Sequence, residues 1–250
     1  MTALLKTTQI QEPSSALVNI TLDSSGGVTN GGSSTLVAGT TSVAPIKFTS
    51  GTNLTSATAG ALEYDGKVIY GTPQGSQRGV ILDAQYYRLD SNLAGANSTA
   101  VQSLFGVGVT LSSSTVYKFY ADFNLYKSAG TTSHTVSMLF GGTATINSIY
   151  YDLSLASSTA SASNFTDTGI AGAAVTQATA TVVNPASTAA IISRFYRMVG
   201  IVSINAGGTF IPQYQLSAAP GGAYSTITNS SILIYPIGAA GANTSVGTWA

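Results

Sequence analysis

Residues 117–125, with the sequence YKFYADFNL, decide the fold class of this chain. Aromatic and aliphatic side chains such as Phe119 and Phe123 alternate with polar ones such as Lys118 and Asp122. Successive side chains of a β-strand point to opposite faces, so this pattern places apolar groups on one face and polar groups on the other. The stretch therefore predicts a half-buried antiparallel strand.

Similar β-forming runs recur along the rest of the chain, separated by Gly, Ser and Asn. They occupy residues 135–140, 145–153, 188–204, 208–216 and 231–237. No segment combines a 3.6-residue apolar period with helix caps, so we expect little helix. The pattern predicts an all-β protein built as an antiparallel β-sandwich or jelly roll. Pro212 indicates an edge strand or a bulge, and residues 156–189 are read either as two weak strands or as an extended loop.

The chain divides into three parts on composition. Residues 1–45 have no aromatic side chain and hold short apolar pairs between Gly, Ser and Asn clusters, which predicts an extended anchor that orders on a partner. Residues 46–79 contain Asp65-Gly66 between two β-forming pieces, the signature of a β-hairpin, and are read as a small neck or collar. Residues 80–250 are the predicted β-sandwich head.

Charge is unusually scarce. Asp, Glu, Lys and Arg make up 7% of the 250 residues, and none follows Arg197, whereas ordinary soluble domains hold about a quarter. Such a surface is expected to be covered by copies of the chain or by partners. Nine basic and nine acidic residues cancel, which argues against nucleic acid as a partner. Residues 1–13 lack the apolar run of a secretion signal, and no long apolar stretch predicts membrane insertion.

Few residues are candidates for catalysis. His134 is the only histidine, and without a G-x-S-x-G motif it is interpreted as a polar residue of a turn or strand end. Glu63 and Asp65 could pair for glycoside hydrolysis or hold a cation. Asp65 begins the predicted turn, however, so a structural role in that turn is preferred. We expect no enzymatic activity, cofactor or metal.

Two further sets of side chains are candidates for contacts. Arg194 and Arg197 fall on opposite faces of one predicted strand, and a structural ion pair, within the chain or across a subunit boundary, is expected with Asp122 or Asp152. Among the thirteen tyrosines, Tyr224 in the sequence GGAYS is the candidate for facing a receptor, because it lies in a Gly/Ser-rich loop.

Three parts of the sequence resemble virion proteins of tailed bacteriophages. Residues 5–28, LKTTQIQEPSSALVNITLDSSGGV, resemble the opening of phage fibres and other virion proteins, and residues 44–73, APIKFTSGTNLTSATAGALEYDGKVIYGTP, resemble a segment common in phage structural proteins. Residues 116–151, 208–222 (GTFIPQYQLSAAPGG) and 230–238 (SSILIYPIG) resemble the head domain of phage fibres, with a layout similar to trimeric jelly rolls of the C1q and tumour-necrosis-factor type.

This resemblance implies a non-enzymatic structural protein on the surface of a phage particle, synthesised in the host cytoplasm. The expected form is a homotrimeric short fibre or appendage, anchored to other virion proteins through residues 1–45, whose head contacts the host surface and its envelope polysaccharide. A trimeric capsid decoration protein that stabilises the head shell is the alternative, and a polysaccharide depolymerase is the less favoured one. The sequence does not separate the first two.

Overall fold

The computed structural model describes residues 9–10, 20–22, 24, 27–75, 77–157 and 173–241. These residues form strands, turns and loops without any helix, so the predicted all-β fold class is confirmed. No helix long and apolar enough to cross a membrane occurs among them. The strands are β1 (Gln9–Ile10), β2 (Ile20–Leu22), β3 (Val28–Asn30), β4 (Leu62–Tyr64), β5 (Ile69–Gly71), β6 (Gly79–Ile81), β7 (Gln85–Arg88), β8 (Leu93–Ala94), β9 (Gln102–Ser103), β10 (Val109–Leu111), β11 (Thr115–Lys127), β12 (His134–Gly141), β13 (Ile146–Ser157), β14 (Ala173–Val175), β15 (Thr181–Ser187), β16 (Ile192–Ile204), β17 (Gly208–Leu216), β18 (Ser225–Thr226) and β19 (Ser231–Ala239).

The chain separates into two units, Met1–Thr49 and Ser50–Ala250. In the first unit, β1, β2 and β3 form a small antiparallel sheet. Residues 27–49 are all exposed. Residues 27–49 therefore bury no core of their own, which agrees with the lack of aromatic residues in this stretch up to residue 45.

The predicted hairpin around Asp65-Gly66 is present in the second unit, where β4 pairs with β5. Asp65 Oδ1 accepts hydrogen bonds from the backbone N–H groups of Lys67 and Val68, each at 2.8 Å. Gly66 has a positive φ of 91°. Both features belong to a tight turn that an aspartate closes with its own side chain. A third strand, β6, pairs with β5 and was not expected from the sequence.

The head is made of two antiparallel sheets. The smaller sheet runs β10-β17-β12-β15, with β9 also paired to β17. The larger sheet runs β14-β13-β16-β11; β18 and β19 pair with β11, and β8 and β7 extend them. The stretch that predicted the fold lies inside β11, whose thirteen residues alternate strictly between buried and partly exposed.

Aromatic rings from both sheets meet in the core. Phe119 of the large sheet lies 5.9 Å from Phe210 and 5.8 Å from Phe140 of the small sheet, and Phe140 lies 5.2 Å from Tyr151 of the large sheet, all measured between ring centroids. Each such pair contributes roughly 0.5–1.5 kcal/mol beyond the apolar area it buries. These contacts show that the inner faces of the two sheets pack together as a β-sandwich.

Two expectations about strands are revised by the structure. Pro212 lies in β17, which has partners on both sides, so the expected edge position is wrong. Pro212 lies between the residues of β17 that pair with β10 and those that pair with β9. At this position its lack of an N–H group interrupts neither set of inter-strand hydrogen bonds. Residues 156–189 contain the end of β13 and the short strands β14 and β15, and residues 158–172 lie outside the described part.

Candidate functional site

Tyr224 does not face a receptor; that prediction is wrong. The side chain is fully buried, and its hydroxyl donates a hydrogen bond to His134 Nε2 at 2.8 Å. His134 Nδ1 donates in turn to the Thr132 carbonyl at 2.7 Å, which leaves Nε2 as the acceptor. Burial also raises the pKa of the Tyr224 phenol. Glycine-rich loops need not be exposed: Gly222 packs so closely on Ala129 that a Cβ would lie 2.4 Å from its carbonyl oxygen.

His134 is the first residue of β12 and is buried, so the expected strand-end position is correct. No sequence pattern pointed to its partner, because Tyr224 is distant along the chain. Together the two side chains form a closed hydrogen-bonded pair inside the head.

Arg197 and Asp122 form an ion pair within one chain. They lie opposite each other on β16 and β11, and Arg197 Nε is 2.9 Å from Asp122 Oδ1. Both side chains are exposed on the side of the large sheet that points away from the core, where such a pair contributes about 1 kcal/mol or less to stability. Asp152 is exposed on the same face and belongs to none of the ion pairs seen among the described residues.

Arg194 lies on the opposite face of β16, half-buried, in the phase of Ile192 and Tyr196. Its positive charge acts on the phenols of Tyr196 and Tyr224, opposing the rise in pKa that burial causes there. The two arginines thus face opposite sides, as the alternation predicted. Among the ion pairs seen in the described part of the chain, the one between Arg197 and Asp122 matches the prediction.

Lys127 is a buried cation that the sequence analysis did not single out. It is 1% exposed at the end of β11, and its Nζ donates to the carbonyls of Ala129, Gly130, Ala189 and Ala190 at 3.1, 2.8, 2.6 and 3.2 Å. Burial lowers the pKa of its ammonium group. The alternation of β11 places position 127 on the inner face, a signal present in the sequence. The side chain joins the loop after β11 to the loop before β16.

The carboxylates considered for hydrolysis or cation binding are engaged elsewhere. Arg78 Nε lies 2.8 Å from Glu63 Oε2, and this contact lowers the pKa of the Glu63 carboxyl. Asp65 closes its turn and accepts a hydrogen bond from the Tyr70 hydroxyl at 3.0 Å. No group of three or more His, Asp or Glu side chains in the described part of the chain is arranged to hold a metal ion.

The outer face of the large sheet carries two rows of mainly apolar side chains. We define the outer face as the outward side chains of β13, β16, β11, β19 and β7. Strand register places one row across five strands and a second across four. The first row is Tyr86, Leu233, Tyr120, Val199 and Asp152, and the second is Tyr235, Lys118, Ile201 and Tyr150.

Several of these side chains are exposed to an extent that is unusual for large apolar groups. Tyr86 is 62% exposed, Tyr150 51%, Ile201 41%, and Phe195, beyond the row of Asp122 and Arg197, 40%. Between the two rows, the rings of Tyr120 and Tyr235 stack with centroids 6.3 Å apart. The outer face is therefore an ordered apolar surface rather than a scatter of single residues.

The outward side of the small sheet has a different composition. Its central strands β12 and β17 present mostly polar side chains there, among them Thr135, Ser137, Gln213 and Gln215. The large sheet is also broad: the five strands of the outer face hold 51 residues, so with about 3.3 Å per residue and about 4.8 Å between strands the outer face covers roughly 800 Å². That area is comparable to the roughly 800 Å² per partner of a standard protein interface.

No protein-family model matches the chain, and no curated protein matches it either. Inferences about function therefore depend on the residues of the chain itself and on the geometry described above.

Proposed function

We propose that this chain is a non-enzymatic structural protein of a tailed-phage virion. It assembles as a homotrimer, attaches to the particle through residues 1–45 and displays the β-sandwich head toward the host surface. The observation that supports this proposal best is the pair of mainly apolar rows on the outer face of the large sheet, which extend across five and four strands. A protein that worked as a free monomer would expose this face to water, at a cost in solubility.

In the proposed trimer, the outer faces of three heads pack around the threefold axis. The outer face carries five charged side chains, namely Arg88, Lys118, Asp122, Asp152 and Arg197. Asp122 pairs with Arg197 and Arg88 pairs with Asp90, so burial of this face desolvates two ions, Lys118 and Asp152, that belong to no ion pair seen among the described residues. Contacts of each head with the host surface are weak in this arrangement, and three heads on one particle-bound unit strengthen them by avidity.

The assembly is tested by sedimentation of the full chain and of two charge-introducing variants. The wild-type chain of 25.3 kDa should sediment as a trimer at micromolar concentration. Ile201→Glu, which places a carboxylate in the centre of the outer face, should shift the protein to monomers. Gln213→Glu, which adds the same charge on the outward side of the small sheet, should leave the trimer intact. A wild-type monomer, or equal behaviour of the two variants, would contradict the interface.

The place on the virion is tested by quantifying this chain by mass spectrometry in purified particles. A few dozen copies per particle support an appendage, whereas hundreds support the alternative of a capsid decoration protein. Absence from intact particles would contradict both. Incubation of the protein with host polysaccharide should release no new reducing ends, and their appearance would support the depolymerase instead.

A further inference from the structure

A groove lies on the head near the ends of β7 and β8. It consists of two open clefts of about 380 and 390 Å³. Residues 87–93 and 105–107 line the first cleft, and residues 93–96, 102–103, Gly106 and Tyr214 line the second. Leu93 and Gly106 line both, so the two clefts are adjoining parts of one elongated groove.

The walls of the groove are held in place by contacts behind them. The partly exposed ring of Tyr87 packs edge-on against buried Phe105, with centroids 6.4 Å apart. Gln102 Oε1 accepts hydrogen bonds from the Ala96 N–H at 2.5 Å and from the Tyr214 hydroxyl at 3.0 Å. These contacts form the groove before any ligand arrives, which reduces the entropy lost on binding.

The floor between the two clefts requires glycine. The backbone N–H of Gly106 donates a hydrogen bond to Ser103 Oγ at 2.9 Å. This bond stabilises a turn in which Gly106 has a φ of 71°. A Cβ at this position would lie 3.4 Å from both Leu93 Cδ atoms. That distance is ordinary van der Waals contact, so the positive φ rather than crowding is what favours glycine where the two clefts meet.

The polar groups of the first cleft are oriented, and their charges cancel. Arg88 forms an ion pair with Asp90 and donates to Asn229 Oδ1 at 2.6 Å. The amide of Asn92 is oriented by the Thr228 N–H, which donates to Asn92 Oδ1 at 2.9 Å. A guanidinium, a carboxylate and an amide beside a partly exposed aromatic ring can bind hydroxyl groups around an apolar ring face. With no net charge, the cleft gives no advantage to an anionic ligand.

We propose that this groove binds a neutral oligosaccharide segment. One sugar ring stacks on Tyr87 while its hydroxyls bond to Asn92, Arg88 and Asp90, and the following units pass over Gly106 toward Gln102. This inference extends the proposed function, since it assigns the contact between the head and a host polysaccharide to a defined site.

Binding is tested by saturation-transfer NMR with the full chain and three probes, namely maltohexaose, chitohexaose and the acidic hyaluronan hexasaccharide. At least one neutral probe should bind with a dissociation constant near the millimolar range and more tightly than hyaluronan. Tyr87→Ala should weaken that binding about tenfold, which corresponds to about 1.4 kcal/mol. Val182→Ala is the control: this side chain is 57% exposed on β15 of the small sheet and lies outside both clefts and the outer face, so its loss should leave binding unchanged.

A second variant keeps the proposal testable if Tyr87→Ala fails to fold. Asp90→Asn changes a highly exposed side chain and uncovers the charge of Arg88, so it should increase the affinity for hyaluronan several-fold. The groove proposal is overturned by a folded protein that binds neither neutral probe, by a preference of the wild type for hyaluronan, or by binding that Tyr87→Ala leaves unchanged. If the protein still sediments as a trimer in those cases, the groove proposal fails and the trimer proposal stands. If the protein is not a trimer but still binds the glycan, the trimer proposal fails and the groove proposal stands.

Discussion

Replacement of Lys127 by Met tests whether a buried ammonium group stabilises the head. The side chain of Met has similar length and removes only the charge and its hydrogen bonds. In the wild type, four backbone carbonyls at 2.6–3.2 Å accept from Nζ, so the three ammonium hydrogens are fully used. The variant leaves these carbonyls without their donor and unlinks the loop after β11 from the loop before β16.

The expected loss follows from two opposing contributions. Hydrogen bonds to a charged group are worth about 1.5–3 kcal/mol each, whereas burying an ammonium ion costs several kcal/mol, which Met no longer incurs. Ala129, Ala189 and Ala190 are exposed, so water can reach their carbonyls in the variant. We therefore expect a net loss of about 2–4 kcal/mol in the free energy of unfolding, less than the four bonds taken separately would suggest.

Urea denaturation followed by circular dichroism measures this loss, with all proteins at one concentration because assembly also contributes to stability. Lys47→Met is the control: it removes an exposed lysine outside the head and should change stability by about 0.5 kcal/mol or less. Lys127→Arg should not restore stability fully, because a planar guanidinium cannot point its donors at four carbonyls around one nitrogen. If Lys127→Met were as stable as Lys47→Met, the carbonyl cluster would not stabilise the fold and the reasoning would be refuted.

Two further predictions concern packing and pH. Gly200→Ala should destabilise the head by about 1–3 kcal/mol in the same urea assay, because a Cβ at Gly200 would lie 2.3 Å from Phe119 Cζ. Gly51→Ala is the control and should be neutral, since nothing lies within 4 Å of its added Cβ. An equal effect of the two substitutions would contradict the packing argument. Burial raises the pKa of Tyr214 from 10.0 to about 12, so the folded state holds this proton while the unfolded state releases it, and stability should fall as pH rises above 10. By about pH 12 this phenol alone should contribute a loss of about 2 kcal/mol, which Tyr214→Phe should remove. A urea midpoint that stays constant from about pH 9 to about pH 12 would disprove this prediction.

Much of the fold could be predicted because strand signals are local. The alternation in residues 117–125 marks β11, and Asp65-Gly66 marks the turn between β4 and β5. Neither feature needs information from elsewhere in the chain. The third strand of the neck, β6, was missed because the sequence around Val80 has no alternation of its own; its pairing with β5 is what makes it a strand.

The candidate site was harder to predict, because exposure depends on what the rest of the chain places over a residue. Tyr224 lies in a Gly/Ser-rich loop, yet His134, far away in sequence, covers its hydroxyl. Tyr87 attracted no separate attention in the sequence, although it forms a wall of the groove. For both tyrosines, the neighbouring residues in the sequence do not reveal whether the side chain is buried or exposed.

The amino-acid sequence by itself determined that this protein is built of antiparallel strands, that helix is nearly absent and that few charges are available for its surface, since periodicity and composition act residue by residue. Tertiary structure alone decided that Lys127 is surrounded by carbonyls, that the apolar side chains of five strands join into one outer face, and that the loops beside β7 and β8 enclose a groove. Each of these depends on contacts between residues distant in the chain, and the backbone path that brings them together cannot be read from any one segment.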